Sequence, residues 1–121
     1  MTSLCGQDVL LAHNVGMNAR DVGTRQAELH LLDVREDDEW DAGHIEGAQH
    51  ISLRELGGRL GELPAGRPMV AVCRSGSRSA AAVRGLRQLG YDVENLDGGV
   101  AAWSRAGLPL VDANGRPGRV I

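Results

Sequence analysis

The sequence predicts an α/β domain built around a mostly parallel sheet. Three observations lead there. Apolar segments of strand length alternate with segments of helical period along the chain. One of them, "MVAVC" at 69–73, lacks polar alternation, as a strand covered on both faces does. Glycines close the helical segments, as Gly43 and Gly90 do. With 121 residues, 42% hydrophobic and 24% charged, the chain suffices for one such domain with a modest core, not for two.

Taken in order, "NVGM" reads as a short leading strand and "NARDVGTRQ" as a helix capped by Asn18, whose side-chain oxygen suits an orphan backbone N–H. "AELHLLDV" carries a strand at 29–32, followed by a short acidic helix in "EDDEWDAGHI". "AQHISL" is a second strand, and "RELGGRLGELPAG" a helical piece broken by glycines. The buried strand 69–73 enters after Pro68. Its helix sets Ala82, Val83, Leu86 and Leu89 on one face and Arg84, Arg87 and Gln88 on the other, ending at Gly90. "DVENL" and "GGVAAWSRAG" supply a last strand and helix. The domain proper is expected over 15–110, with 1–14 as an N-terminal extension and 111–121 as a C-terminal tail, both ragged. Trp40 and Trp103 read as core aromatics, since the chain has one tyrosine and no phenylalanine.

Composition narrows the chemistry. A net charge of −3 argues against a nucleic-acid-binding body, which normally carries a basic excess. All 13 basic residues are arginine, so P-loop, Schiff-base and lysine general-base chemistries are excluded. No apolar run reaches membrane-spanning length, and no signal peptide is visible. Cys5 and Cys73, 68 positions apart, suggest a reducing compartment, with the cytoplasm as default, rather than a disulfide framework. The histidines at 13, 30, 44 and 50 and the two cysteines show no metal-ligand spacing, and no cofactor is expected.

The chemistry concentrates in "CRSGSRS", residues 73–79. Cys73 stands at a strand's carboxyl end, before a helix N-terminus, where α/β sheets bind ligands. Backbone N–H groups of Arg74 to Ser79 lack partners in the first helical turn, and a loop curled at Gly76 aims them at one point. Such a nest, with the helix dipole behind it, stabilises a thiolate or a bound anion and lowers the thiol pKa. Arg74 and Arg78 add positive charge at the rim, and Ser75, Ser77 and Ser79 add hydroxyls. The competing reading is an inert core cysteine before a polar turn.

Four segments, "LLDVRE", "DEWDAGHIEGA", "VCRSGSRSAAAVRGLRQLGYDV" and "LDGGVAAWSRAGLPL", resemble in order and spacing the signatures of rhodanese-type sulfurtransferase domains. The resemblance covers roughly 15–110. It implies a central five-stranded, largely parallel sheet with helices on both faces. The implied activity moves a sulfane sulfur from a small anionic donor such as thiosulfate, through a Cys73 persulfide, to cyanide in the assay or to a thiol or protein acceptor. It implies Cys73 as the nucleophile, with Arg74, Ser75, Gly76, Ser77 and Arg78 as the rest of the loop around the sulfur; Ser79 joins the expected anion site through the backbone nest at the helix start. Asp33, Arg35, His44, Gly47, Gly98, Gly99 and Trp103 match family positions that are mainly architectural. Phosphatase and arsenate reductase relatives place arginine one residue later, where this chain has Ser79.

Alternatives stand beside these readings. The domain is either an enzyme or a sulfur-carrier or partner-binding module without turnover of its own. His44 reads as a hydrogen-bonded structural residue, and Asp33 as a loop tie. Arg35 with Glu36 and Asp37 reads equally as a solvated charge cluster. Cys5 is a bystander thiol or a resolving one, and "VLLA" at 9–12 packs on the body or on another chain.

Overall fold

The computed structural model describes residues 16–121. Cys5, "VLLA" and the expected extension lie outside the described residues. The elements are α1 (Ala19–Thr24), β1 (His30–Asp33), α2 (Asp37–Ala42), β2 (Gln49–His50) and α3 (Leu53–Leu56), then a 3-10 turn at Leu60–Glu62, β3 (Met69–Val72), α4 (Ser77–Gln88), β4 (Val93–Asn95) and α5 (Gly99–Arg105).

The four strands are all parallel, in the order β2-β1-β3-β4. The fifth strand that the resemblance implied is reduced, among the described residues, to one parallel bridge between Met17 and Leu96. Met17 N–H donates to Asn95 O at 2.8 Å, and Asp97 N–H to Met17 O at 2.7 Å. Pairing stops there because the next residue, Asn18, already caps α1 by accepting from Asp21 N–H at 2.9 Å.

Strand β3 explains its own composition. All four of its residues are buried. Met69 and Ala71, with Cys73 after them, join the apolar cluster under α3 and α4; Val70 and Val72 join the one under α1 and α5. A strand with two covered faces has no position for a polar residue. Trp103 anchors the second cluster, and its Nε1–H donates to Pro109 O at 2.9 Å.

Helix α4 buries Ala82, Val83 and Leu86 as expected, but Leu89 is 61% exposed. The helix ends at Gln88, where Gly90 N–H donates to Arg87 O at 3.0 Å and Tyr91 N–H to Leu86 O at 3.1 Å. This pair of bonds closes the helix, turns Leu89 outward and packs Tyr91 on the core in its place.

Residues 111–121, expected to be ragged, fold back on the domain. Val111 bridges both His44 and Pro117, and Arg119 N–H donates to Ala42 O at 2.9 Å. This return also explains Gly43. Its backbone is extended, and a Cβ there would lie 2.4 Å from Arg119 O.

Candidate active site

The chain must turn from β3 into α4 within four residues. Gly76, the N-cap of α4, makes that turn at φ 106°, a left-handed conformation that favours glycine. The turn aims the loop's donors at one sulfur. Gly76 N–H lies 3.1 Å from Cys73 Sγ, and Ser79 Oγ lies 3.3 Å from it. Cys73 itself is fully buried. Burial pushes its thiol up, but the Ser79 hydroxyl and the N–H groups of Ser79, Gly76 and Ser75 outweigh that, and the thiol sits below its ordinary value. A core cysteine among apolar neighbours would shift the other way.

Behind the loop, α5 holds the carbonyls. Val100 N–H donates to Cys73 O at 2.9 Å, and Ala101 N–H to Arg74 O at 3.0 Å. The helix N-terminus thereby satisfies its own orphan donors and the loop's acceptors together. The approach is so close that a Cβ on Gly99 would lie 2.4 Å from both carbonyl oxygens. The second glycine of the "GG" in the last helical segment is therefore a packing requirement of the loop, whereas a Cβ on Gly98 would meet Ala102 Cβ at 2.6 Å.

The two loop arginines separate. Arg78 turns to α2, where Nη1 and Nη2 donate to the two carboxylate oxygens of Glu39 at 2.7 and 2.8 Å. Those hydrogen bonds, against the effect of burial, hold the Glu39 carboxyl at about 2 and raise Arg78 further above its usual value. Arg74 stays exposed at the rim, its Nε donating to Ile121 O at 2.8 Å. Ser75 and Ser77 are exposed beside it, whereas Ser79 is buried against the sulfur.

Below the loop, Arg35 is fully buried and not part of a solvated cluster. Its Nε and Nη2 donate to the Asp33 carboxylate at 2.8–3.1 Å, and Nη2 also donates to Gly43 O at 2.7 Å. Asp33 and Arg35 thus tie β1 to the end of α2. His44 makes a hydrogen bond to Trp40 O at 2.8 Å, in keeping with its structural reading. Trp40 is half-buried rather than core, stacked between His44 and His50 at ring distances of 3.6 and 4.7 Å.

Two site residues escaped the sequence reading. Glu39 is the partner of Arg78, and the available signal was an acidic helix in a chain whose loop is basic. Asn95 touches both Ser79 and Gly76. Its signal was position alone, at the carboxyl end of the strand beside β3.

The chain matches the family described as "Rhodanese-like domain" over residues 18–106. It belongs to the rhodanese-like family. Two relatives from Mycobacterium tuberculosis are much longer: the chain is 46% identical over 85 residues to a helix-turn-helix transcriptional regulator and 42% identical over 85 residues to the probable adenylyltransferase/sulfurtransferase MoeZ. The matches cover 69% and 68% of this chain but only 38% and 22% of those proteins. A protein named sulfurtransferase from Allochromatium vinosum is 42% identical over 86 residues, 70% of this chain and 80% of that one. Among solved structures, a rhodanese-related protein from Thermoplasma volcanium superposes with a TM-score of 0.77 at 34% identity, over 79% of this chain and 96% of that one. The rhodanese-like α/β fold is therefore shared along most of the chain.

Proposed function

We propose that this rhodanese-like domain is a sulfurtransferase that carries a sulfane sulfur on Cys73. One observation carries the reading: a single sulfur receives the Gly76 N–H and lies beside the Ser79 hydroxyl at the N-terminus of the twelve-residue helix α4. These groups favour negative charge on the sulfur, both as the attacking thiolate and as the persulfide anion that follows. Relatives named sulfurtransferase and thiosulfate sulfurtransferase support the same reaction class.

With thiosulfate as donor, the Cys73 thiolate attacks the outer sulfur. The donor's S–S bond breaks, sulfite leaves with the electron pair, and Cys73 holds a persulfide. A thiophilic acceptor, cyanide in the assay and a thiol or protein in the cell, then takes the terminal sulfur and returns the thiolate. No external oxidant or reductant enters. Arg74 receives the donor's sulfonate charge at the exposed rim, and Ser75 and Ser77 line the entrance. Arg78 is committed to Glu39, which supports a six-residue loop shaped for one sulfur over a cradle for a tetrahedral oxyanion. The cytoplasm, which keeps thiols reduced, is the compartment we assign.

Initial rates with thiosulfate and cyanide both varied test the scheme: parallel double-reciprocal lines are expected, and intersecting lines overturn a persulfide intermediate. A second reading, a sulfur carrier that serves a partner, is favoured by the long relatives in which the same domain is one part. It predicts a single equivalent of thiocyanate with no continuing turnover.

A further inference from the structure

Cys73, Ser79 and Asn95 form a chain of polar contacts. Ser79 Oγ lies 3.3 Å from Cys73 Sγ and 2.5 Å from Asn95 Oδ1. The orientation of the Asn95 amide follows from its other contact: Nδ2 donates to Gly76 O at 3.0 Å, which leaves Oδ1 facing Ser79. Gly76 O is also 3.4 Å from Ser79 Oγ, a longer contact to an acceptor that Asn95 already occupies.

A hydroxyl has one proton to give. While Cys73 is a thiol, its S–H donates to Ser79 Oγ, and the Ser79 proton goes to Asn95. Once Cys73 is a thiolate, the sulfur needs a donor, and Ser79 serves only by turning its proton away from Asn95. The two acceptors exclude one another.

We propose that Asn95 is a positioning residue that sets the pH at which Cys73 ionises, by competing with the Cys73 sulfur for the single hydroxyl proton of Ser79. The proposal rests on Cys73 being the reacting group, as the proposed function does, but not on which atom is transferred. Its consequence is a thiol held back from full acidity, where a thiolate becomes a weaker nucleophile. The charged groups around the loop are Arg78 with Glu39 from α2, Arg35 with Asp33 from β1, Arg74 in the loop and Asp97 before α5. Glu94, next to Asn95, is paired with Arg87. Substitution at Asn95 leaves all of them in place.

The test is the rate of Cys73 alkylation by iodoacetamide against pH, read by mass on the Cys73 peptide so that Cys5 does not contribute, with no sulfur donor present. Asn95→Ala should lower the midpoint by about half a pH unit, the worth of one neutral hydrogen bond. Ser79→Ala should raise it, and in the Ser79→Ala background Asn95→Ala should have no further effect. A midpoint that is unchanged or raised in Asn95→Ala, or that moves equally without Ser79, overturns the proposal. A measurement on the native protein covers the case of a variant that does not fold. The carbonyl carbon resonance of the Asn95 side chain should titrate with the alkylation midpoint, and the titration should vanish in Ser79→Ala; a resonance that ignores pH overturns the proposal equally. A protein that shows these shifts yet moves no sulfur would keep this inference and refute the proposed function.

Discussion

Replacing Glu39 by Gln removes the charge opposite Arg78 while keeping an oxygen for the Glu36 N–H that Glu39 now accepts at 3.1 Å. The ion pair has two short bonds, 2.7 and 2.8 Å, and side-chain exposures of 36% for Arg78 and 14% for Glu39. Its carboxyl is held at about 2 against an ordinary 4.5, chiefly by the Arg78 hydrogen bond. Taken whole, that drop corresponds to about 3 kcal/mol of stability. Solvent reaches a third of Arg78, so screening brings the expected loss in Glu39→Gln to about 1–2 kcal/mol. Urea unfolding at pH 7 measures it as a lower midpoint with an unchanged slope. The pH dependence carries the sign. A carboxyl depressed in the folded state contributes fully above its unfolded value of 4.5 and loses the contribution as pH falls toward 2. The difference between native protein and variant should therefore close across that window. A variant as stable as the native chain at pH 7, or a difference that persists unchanged at the acid end, would refute the reasoning.

Further outcomes follow from the same geometry. Arg35→Ala leaves the buried Asp33 carboxylate unpaired and should cost about 3–5 kcal/mol in denaturant unfolding. Gly99→Ala forces the Cys73 and Arg74 carbonyls to move, so stability should fall by about 2 kcal/mol or more and the alkylation midpoint of Cys73 should rise. Arg74→Ala should raise KM for thiosulfate by about tenfold and leave the urea midpoint within about 0.5 kcal/mol of native, because the side chain is exposed.

Much of the fold was legible in the sequence because local signals agreed with the tertiary outcome. The unalternating "MVAV" is a strand covered twice, and Asn18 caps the helix that its type predicts. Leu89 leaves the apolar face that its sequence period predicts, because the closing bonds from Gly90 and Tyr91 N–H break that period one residue earlier. Among the described residues the leading strand keeps one bridge at Met17 and does not run on past it, because Asn18 cannot both cap a helix and continue a ladder. At the site, the loop's donors and Cys73 could be placed from the strand-to-helix join alone. Glu39 and Asn95 could not, since each reaches the loop from another element, 39 residues before Arg78 and 16 after Ser79. Arg78 illustrates the same limit: the sequence shows a cation beside Cys73, and only the packing of α2 decides that Glu39 claims it.

Intact mass of the purified chain, before and after thiosulfate, for the native protein and Cys73→Ser, tests the central claim most directly. A gain of one sulfur mass that is removed by cyanide and absent from the variant is the predicted result. An unchanged native mass with thiosulfate and with every other sulfane donor, or the same gain in Cys73→Ser, would contradict a persulfide on Cys73.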